Sequence, residues 1–128
     1  MHTKQEEKNR KLVQDFYETV INSQKYDRVN EFVDNNYIQH KPEVEDGPKG
    51  LLDFVRGVYA KSPKHRAQII RSFADGDFVI LHVHVINGAE AEHIAVMDIF
   101  RVENGLIKEH WDVAHPVPPV SRNNNGIF

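Results

Sequence analysis

Cysteine is absent from the 128 residues, which removes disulfides, zinc knuckles, iron–sulfur clusters and thiol nucleophiles together. No apolar run approaches the ~18 residues that span a bilayer. The segment Met1 to Lys11 is charged rather than signal-like. A cytoplasmic protein with no membrane association is therefore expected. An excess of one charge sign is also missing. Acids and bases interleave to a net −3, with no cationic face of the kind a phosphate backbone requires, so nucleic acid is not an expected partner. Internal repeats and linkers are lacking too. What the chain does have, 40% hydrophobic and 27% charged residues, suits one domain with a single core. That domain is placed at residues 1–120. Residues 121–128, which follow Pro116, Pro118 and Pro119 and contain Asn123-Asn124-Asn125-Gly126, read as an extended or mobile tail. Histidine is the surplus, with eight in all.

Hydrophobic periodicity divides the chain in two. Thr3 and Glu6 form a capping box, and Leu12, Val13, Phe16, Tyr17, Val20 and Ile21 recur at helical spacing behind it. Asp27 can cap a short second helix that buries Val29, Phe32 and Val33 and stops at Asn35-Asn36. Tyr37 to Pro42 is extended or irregular, because the proline disfavours helix at Lys41. Asp46-Gly47-Pro48 opens a third helix, with Leu51, Leu52, Phe54, Val55, Val58 and Tyr59 as its stripe and Ser62-Pro63 as its end. From Arg66 the period becomes two. Turn signals at Asp75-Gly76-Asp77, Asn87-Gly88 and Asn104-Gly105 separate three or four strands. Helices followed by a meander predict an α+β fold with helices on one face of a curved, mainly antiparallel sheet.

The strand Phe78 to Ile86 is apolar on both faces, with His82 and His84 on one and Val79, Leu81, Val83 and Val85 on the other. The histidines are expected to point into a partly dry interior, and the valine–leucine row outward, toward a second subunit. Each buried imidazole then needs a partner, since an unpaired one costs ~1–3 kcal/mol; the plain alternative is a satisfied core histidine. In the next strand Asp98 is a lone acid among Ile94, Val96, Phe100 and Val102, where desolvation disfavours its charged form and could tune it for acid/base work. Its neighbours depend on the hairpin at Glu103-Asn104-Gly105. A two-residue turn pairs Val102 with Ile107 and sets Asp98 opposite Trp111. A three-residue loop pairs Val102 with Leu106 and gives Asp98 His110 and Asp112 as neighbours. The pattern leaves both open.

Phe16-Tyr17, Tyr37-Ile38-Gln39-His40, Asp46-Gly47-Pro48 with Gly50, and above all the run from Asp98 to Asp112 resemble the SnoaL-like polyketide cyclase group of the NTF2-like superfamily, over residues 5–117. The resemblance implies a cone of three helices on a strongly bent sheet, commonly dimeric, enclosing a pocket for a small organic molecule. It places Asp98 at the acid/base aspartate of such cyclases, which in ketosteroid isomerase is the protonated acid of the oxyanion hole. Tyr17 falls near that isomerase's oxyanion tyrosine, and His40 near its general-base aspartate. Mapping to the limonene epoxide hydrolase branch turns His110 and Asp112 to the pocket and favours the three-residue loop.

The resulting expectation is acid/base chemistry of the aldol or enolisation type on a hydrophobic carbonyl compound, needing no cofactor. Asp98 with His82 or His40 acts as acid and base, and Tyr17 donates to the oxyanion. Phe16, Tyr37, His84, Phe100, His110, Trp111 and Asp112 shape the pocket, and the protein is a homodimer. Two other classes compete: a non-catalytic binding or dimerisation module built on the same cone, and a metal enzyme with His82, His84 and Asp98 as ligands.

Overall fold

Thr3 caps the first helix in the computed structural model, which describes residues 2–128. Its hydroxyl accepts the Glu6 N–H at 3.0 Å, and Glu6 Oε1 accepts the Thr3 N–H at 2.7 Å. Helix α1 (Lys4–Phe16) runs into a π-helical segment (Tyr17–Asn22). Val13, Phe16, Tyr17 and Val20 are buried, as the stripe predicts. The second helix is a 3₁₀ segment (Tyr26–Glu31) with no side-chain cap. Asn35-Asn36 do not stop it; they lie inside strand β1 (Val33–Gln39). Helix α2 (Gly47–Lys61) begins and ends where Pro48 and Ser62 predict. The Asp46 carboxylate turns away from the helix end and accepts the Gln39 N–H at 2.8 Å, tying α2 to the end of β1.

Strands β2 (Arg66–Asp75), β3 (Phe78–Ile86), β4 (His93–Glu103) and β5 (Leu106–Pro116) form the antiparallel meander. β1 joins it in parallel beside β5, giving the order β1-β5-β4-β3-β2 in one curled, open sheet. The helices cover the concave face, and one core runs between the two layers. No helix among the described residues is long and apolar enough to cross a membrane.

Two sequence expectations are reversed here. Val79, Leu81 and Val83 are fully buried on the concave face, and His82 and His84 lie on the convex one. A strand apolar on both sides cannot choose its face by pattern. Pairing chooses it: Leu81 stands opposite Asp98, and His82 opposite the exposed Met97. The hairpin does not form the three-residue loop that the family resemblance favours. Asn104 and Gly105 have φ of +53° and +76°, a two-residue turn that pairs Glu103 with Leu106 and Val102 with Ile107. A bulge then leaves Lys108 unpaired and resets the register, so that Arg101 faces Glu109, Phe100 faces His110 and Asp98 faces Asp112. The turn belongs to one branch and the resulting faces to the other.

Candidate active site

Alternation in β1 turns Tyr37 and Gln39 inward and Ile38 and His40 outward; the parallel register sets Gln39 beside His110. Alternation in β5 beyond the bulge turns His110, Asp112 and Ala114 inward. Asp98 comes from β4, and Tyr17 from the first residue of the π-helical segment. Four elements thus deliver one hydrogen-bonded chain. The Tyr17 hydroxyl donates to Asp98 Oδ2, Asp98 Oδ1 is 2.7 Å from His110 Nε2, and His110 Nδ1 is 2.8 Å from Gln39 Oε1. Gln39 Nε2 donates to the Tyr37 hydroxyl at 2.9 Å. Phe16 and Phe100 pack edge-on to Tyr17, and Phe100 also lies 4.7 Å from the His110 ring. Asp98 is 1% exposed and His110 7%, so water contributes little to this chain.

The protons in this chain follow from one backbone amide. Gln39 Oε1 also accepts the Lys41 N–H at 3.0 Å, and a peptide N–H can only donate, so the amide orientation is determined. His110 Nδ1 must then carry hydrogen. His110 Nε2 and Asp98 Oδ1 are joined by a second hydrogen bond, so both ring nitrogens are engaged in the chain. Burial first, then the charge of Asp98, pushes the Tyr17 phenol well above its ordinary value and keeps it a donor. Burial and Asp98 likewise raise Tyr37.

Next to the chain is a cavity of about 430 Å³, within the range that takes small organic ligands. Its apolar walls are Phe54, Val55 and Val58 of α2 and Val85, Ile94 and Val96 of the sheet. Tyr17 and Asp112 reach it, as do Lys41, Glu43, Tyr59, His65 and Glu90. Asp98 and His110 do not line the cavity; they lie behind Tyr17 and Asp112. Burial, then the neighbouring charge of Asp98, raises the Asp112 carboxyl, against the pull of the Lys41 ammonium 3.5 Å away. For Lys41 burial alone works downward, yet Glu43 and Asp112 outweigh it and hold the amine raised and charged.

Of the residues predicted for the site, Tyr17, Asp98, His110 and Asp112 are brought together. Phe16, Tyr37 and Phe100 pack around the buried chain instead of lining the cavity. His40, His82, His84 and Trp111 are on the other side of the sheet. His40 stacks on Trp111 with ring centroids 4.8 Å apart and bonds Glu109 at 2.7 Å, because it is one residue out of phase with Gln39. His82 contacts Arg71, and His84 meets His93 at 2.9 Å and stacks on Phe128. The proposed ligand set His82, His84 and Asp98 is therefore split between two faces. Among the described residues a different trio, Asp98, His110 and Asp112, has donor atoms within 4.8 Å. Both Asp98 oxygens and both His110 nitrogens are already hydrogen-bonded, so a divalent ion would have to break that chain. Gln39, Lys41, Tyr59 and His65 are site residues that pattern reading missed; in β1 the inward phase of Tyr37 could have pointed to Gln39 and Lys41.

A curled sheet closed by helices over a lined cavity is the fold this chain shares with NTF2-like structures. The chain belongs to the SnoaL-like polyketide cyclase family, whose model matches residues 11–119. No curated protein sequence matches it. Among solved structures, a SnoaL-like polyketide cyclase from Agrobacterium tumefaciens is 17% identical with a TM-score of 0.71, covering 90% of this chain and 93% of that one. TsrD from Streptomyces laurentii is 17% identical with a TM-score of 0.71, over 89% and 91%. An NTF2-like protein from Cytophaga hutchinsonii is 17% identical with a TM-score of 0.70, over 84% and 90%. At such identities the likeness shows the fold alone.

Proposed function

We propose that this protein catalyses enolisation-type acid/base chemistry, such as an aldol ring closure, on an apolar carbonyl compound. The observation that carries the proposal is the presence of Tyr17 and Asp112 together on the cavity wall, backed by the buried hydrogen bonds of Asp98 to Tyr17 and His110. Asp112, in its ionised form a stronger base than an exposed carboxylate, removes a proton from the carbon next to the carbonyl. The Tyr17 O–H swings from Asp98 Oδ2 to the developing enolate oxygen. Lys41 adds a positive charge on the same wall. The enolate carbon attacks a second carbonyl of the same molecule, and the alkoxide formed takes back the proton from Asp112. Electrons and protons balance without a cofactor. Asp98 is in this scheme a positioning residue that orients Tyr17.

Exchange of the α-hydrogens of 2-tetralone in D₂O, followed by NMR, tests the first step without knowledge of the natural substrate. The native protein accelerates exchange, and Asp112→Asn loses about 10²-fold or more of that acceleration. A second reading, binding without turnover, is favoured by one observation: Asp98 stands behind the cavity wall with both oxygens occupied. Saturable binding of 2-tetralone with exchange no faster than in buffer would establish it. The homodimer implied by the family resemblance is assigned to the convex sheet face, where Phe73, Met97, Ile99 and Val113 are exposed.

A further inference from the structure

We infer that the cavity has a second polar pole, formed by Tyr59 and His65, which binds an oxygen at the far end of the ligand. The ligand class is then a neutral, elongated apolar molecule oxygenated at both ends. This rests on the pocket reading above and extends it.

Among the described residues, three buried side-chain polar atoms have no hydrogen-bond partner, and two of them, Tyr59 Oη and His65 Nδ1, belong to residues that line this cavity. Their rings meet edge to face, 5.0 Å apart, so the two orphaned atoms belong to one cluster. Tyr59 is only 8% exposed, which leaves its hydroxyl little access to bulk water. An unpaired buried polar group costs ~1–3 kcal/mol, and two side by side on a cavity wall are accounted for by an occupant that bonds both.

The position of the pair sets the length of that occupant. Asp112 is on β5, and His65 immediately precedes β2; in the sheet order these are three strand steps apart. That is ~14 Å along the curled sheet and less across its hollow. Different charges surround the two poles. Tyr17 feels Asp98 and Asp112, whereas Tyr59 feels Arg66 and Glu18. Most of the remaining lining is apolar, with Ile21, Phe54, Val55, Val85, Ile94 and Val96 among it. Burial pushes the Tyr59 phenol up and the His65 imidazole down, so both are uncharged at neutral pH. Glu90 on the nearby β3–β4 connection adds negative charge to the wall. Two neutral groups beside an acid suit a hydroxyl or carbonyl oxygen and disfavour a carboxylate.

The test compares 4,4′-dihydroxybiphenyl with 4-hydroxybiphenyl by fluorescence titration at neutral pH, the phenol standing in for an enol. The native protein is expected to bind the diol about 5- to 10-fold more tightly, the worth of one hydrogen bond. Tyr59→Phe should abolish that preference and leave affinity for the mono-ol unchanged, and His65→Leu should reduce it as an independent variant. Tyr59→Phe removes only an unpaired oxygen, so its melting temperature should match or exceed that of the native chain. Tyr17→Phe should weaken both probes together. Equal affinities of the native protein for the two probes, or a preference that survives Tyr59→Phe, overturn the second pole; if Tyr17→Phe still weakens both probes, the pocket reading stands. Failure of both probes to bind the native protein overturns the pocket reading and the second pole with it.

Discussion

Tyr17 occupies the point where α1 widens into a π-helical segment, and its hydroxyl is the place where the buried chain of Asp98, His110 and Gln39 reaches the cavity. Replacing it with phenylalanine leaves Asp98 Oδ2 buried with no donor, so Tyr17→Phe should cost ~1–3 kcal/mol in urea denaturation. A variant as stable as the native chain would show that the hydrogen bond contributes nothing net. Asp112 makes a prediction in pH. Its folded carboxyl holds a proton more tightly than the unfolded one, so the folded state loses stability as pH rises from the ordinary carboxylate value through the raised one. Asp112→Asn lacks that loss. Its melting temperature should gain on the native one across this acidic window and then hold a constant advantage toward neutrality; an advantage that shrinks as pH rises would contradict the raised value. At this scale the lone acid Asp98 in an apolar row was legible from sequence, because burial of a carboxylate is a local contradiction that demands partners. Tyr59 and His65 were not, because their lack of partners exists only in three dimensions.

The hairpin between β4 and β5 and the start of α2 show how single positions control whole elements. Without the bulge at Lys108 every inward side chain of β5 beyond it would turn outward, bringing Trp111 into the interior and removing His110 from Asp98. Deleting Lys108, by contrast, removes the extra residue itself and keeps Arg101 opposite Glu109 and Asp98 opposite Asp112, so the deletion protein should retain the site and lose only about 1 kcal/mol, the order of its ion pair with Asp34. A loss of more than ~3 kcal/mol in chemical denaturation, the order associated with stripping a buried charge of its partner, would refute this. At Gly50 a Cβ would lie 2.1 Å from the Glu45 carbonyl oxygen, closer than any real contact. Helix propensity alone favours Gly50→Ala by about 1 kcal/mol. The backbone contact should win and give a net loss of ~1–3 kcal/mol by thermal or chemical melting. Periodicity had shown where α1, α2 and the strands lie, since each has one face in the core. It read only the Tyr37–Gln39 end of β1 as extended and took Asn35-Asn36 as a helix stop, because a short strand that pairs in parallel with a distant β5 leaves little local pattern.

The molecule as a whole is a curled, open sheet with one face spent on the core and cavity and the other still carrying apolar side chains. Val113 is 74% exposed, and Phe73, Met97 and Ile99 share its side of the sheet. A homodimer that covers this face should sediment at twice the chain mass, and Val113→Glu should shift it to the monomer by placing a charge in the contact. A native chain that remains monomeric at high micromolar concentration would exclude the dimer on this face.

By itself the sequence determined the α+β class, the family, the capping box, the helical stripes and the odd acid at position 98. All of these are written in local spacing and in residue chemistry that no packing can change. Tertiary structure alone decided which face of β3 is inside, where the β4–β5 register resets, and that Asp112 rather than Asp98 meets the cavity. A strand apolar on both sides and a hairpin with two plausible turns have nearly equal local energies. Only the pairing of β3 with β4, the bulge at Lys108 and the parallel docking of β1 break that tie.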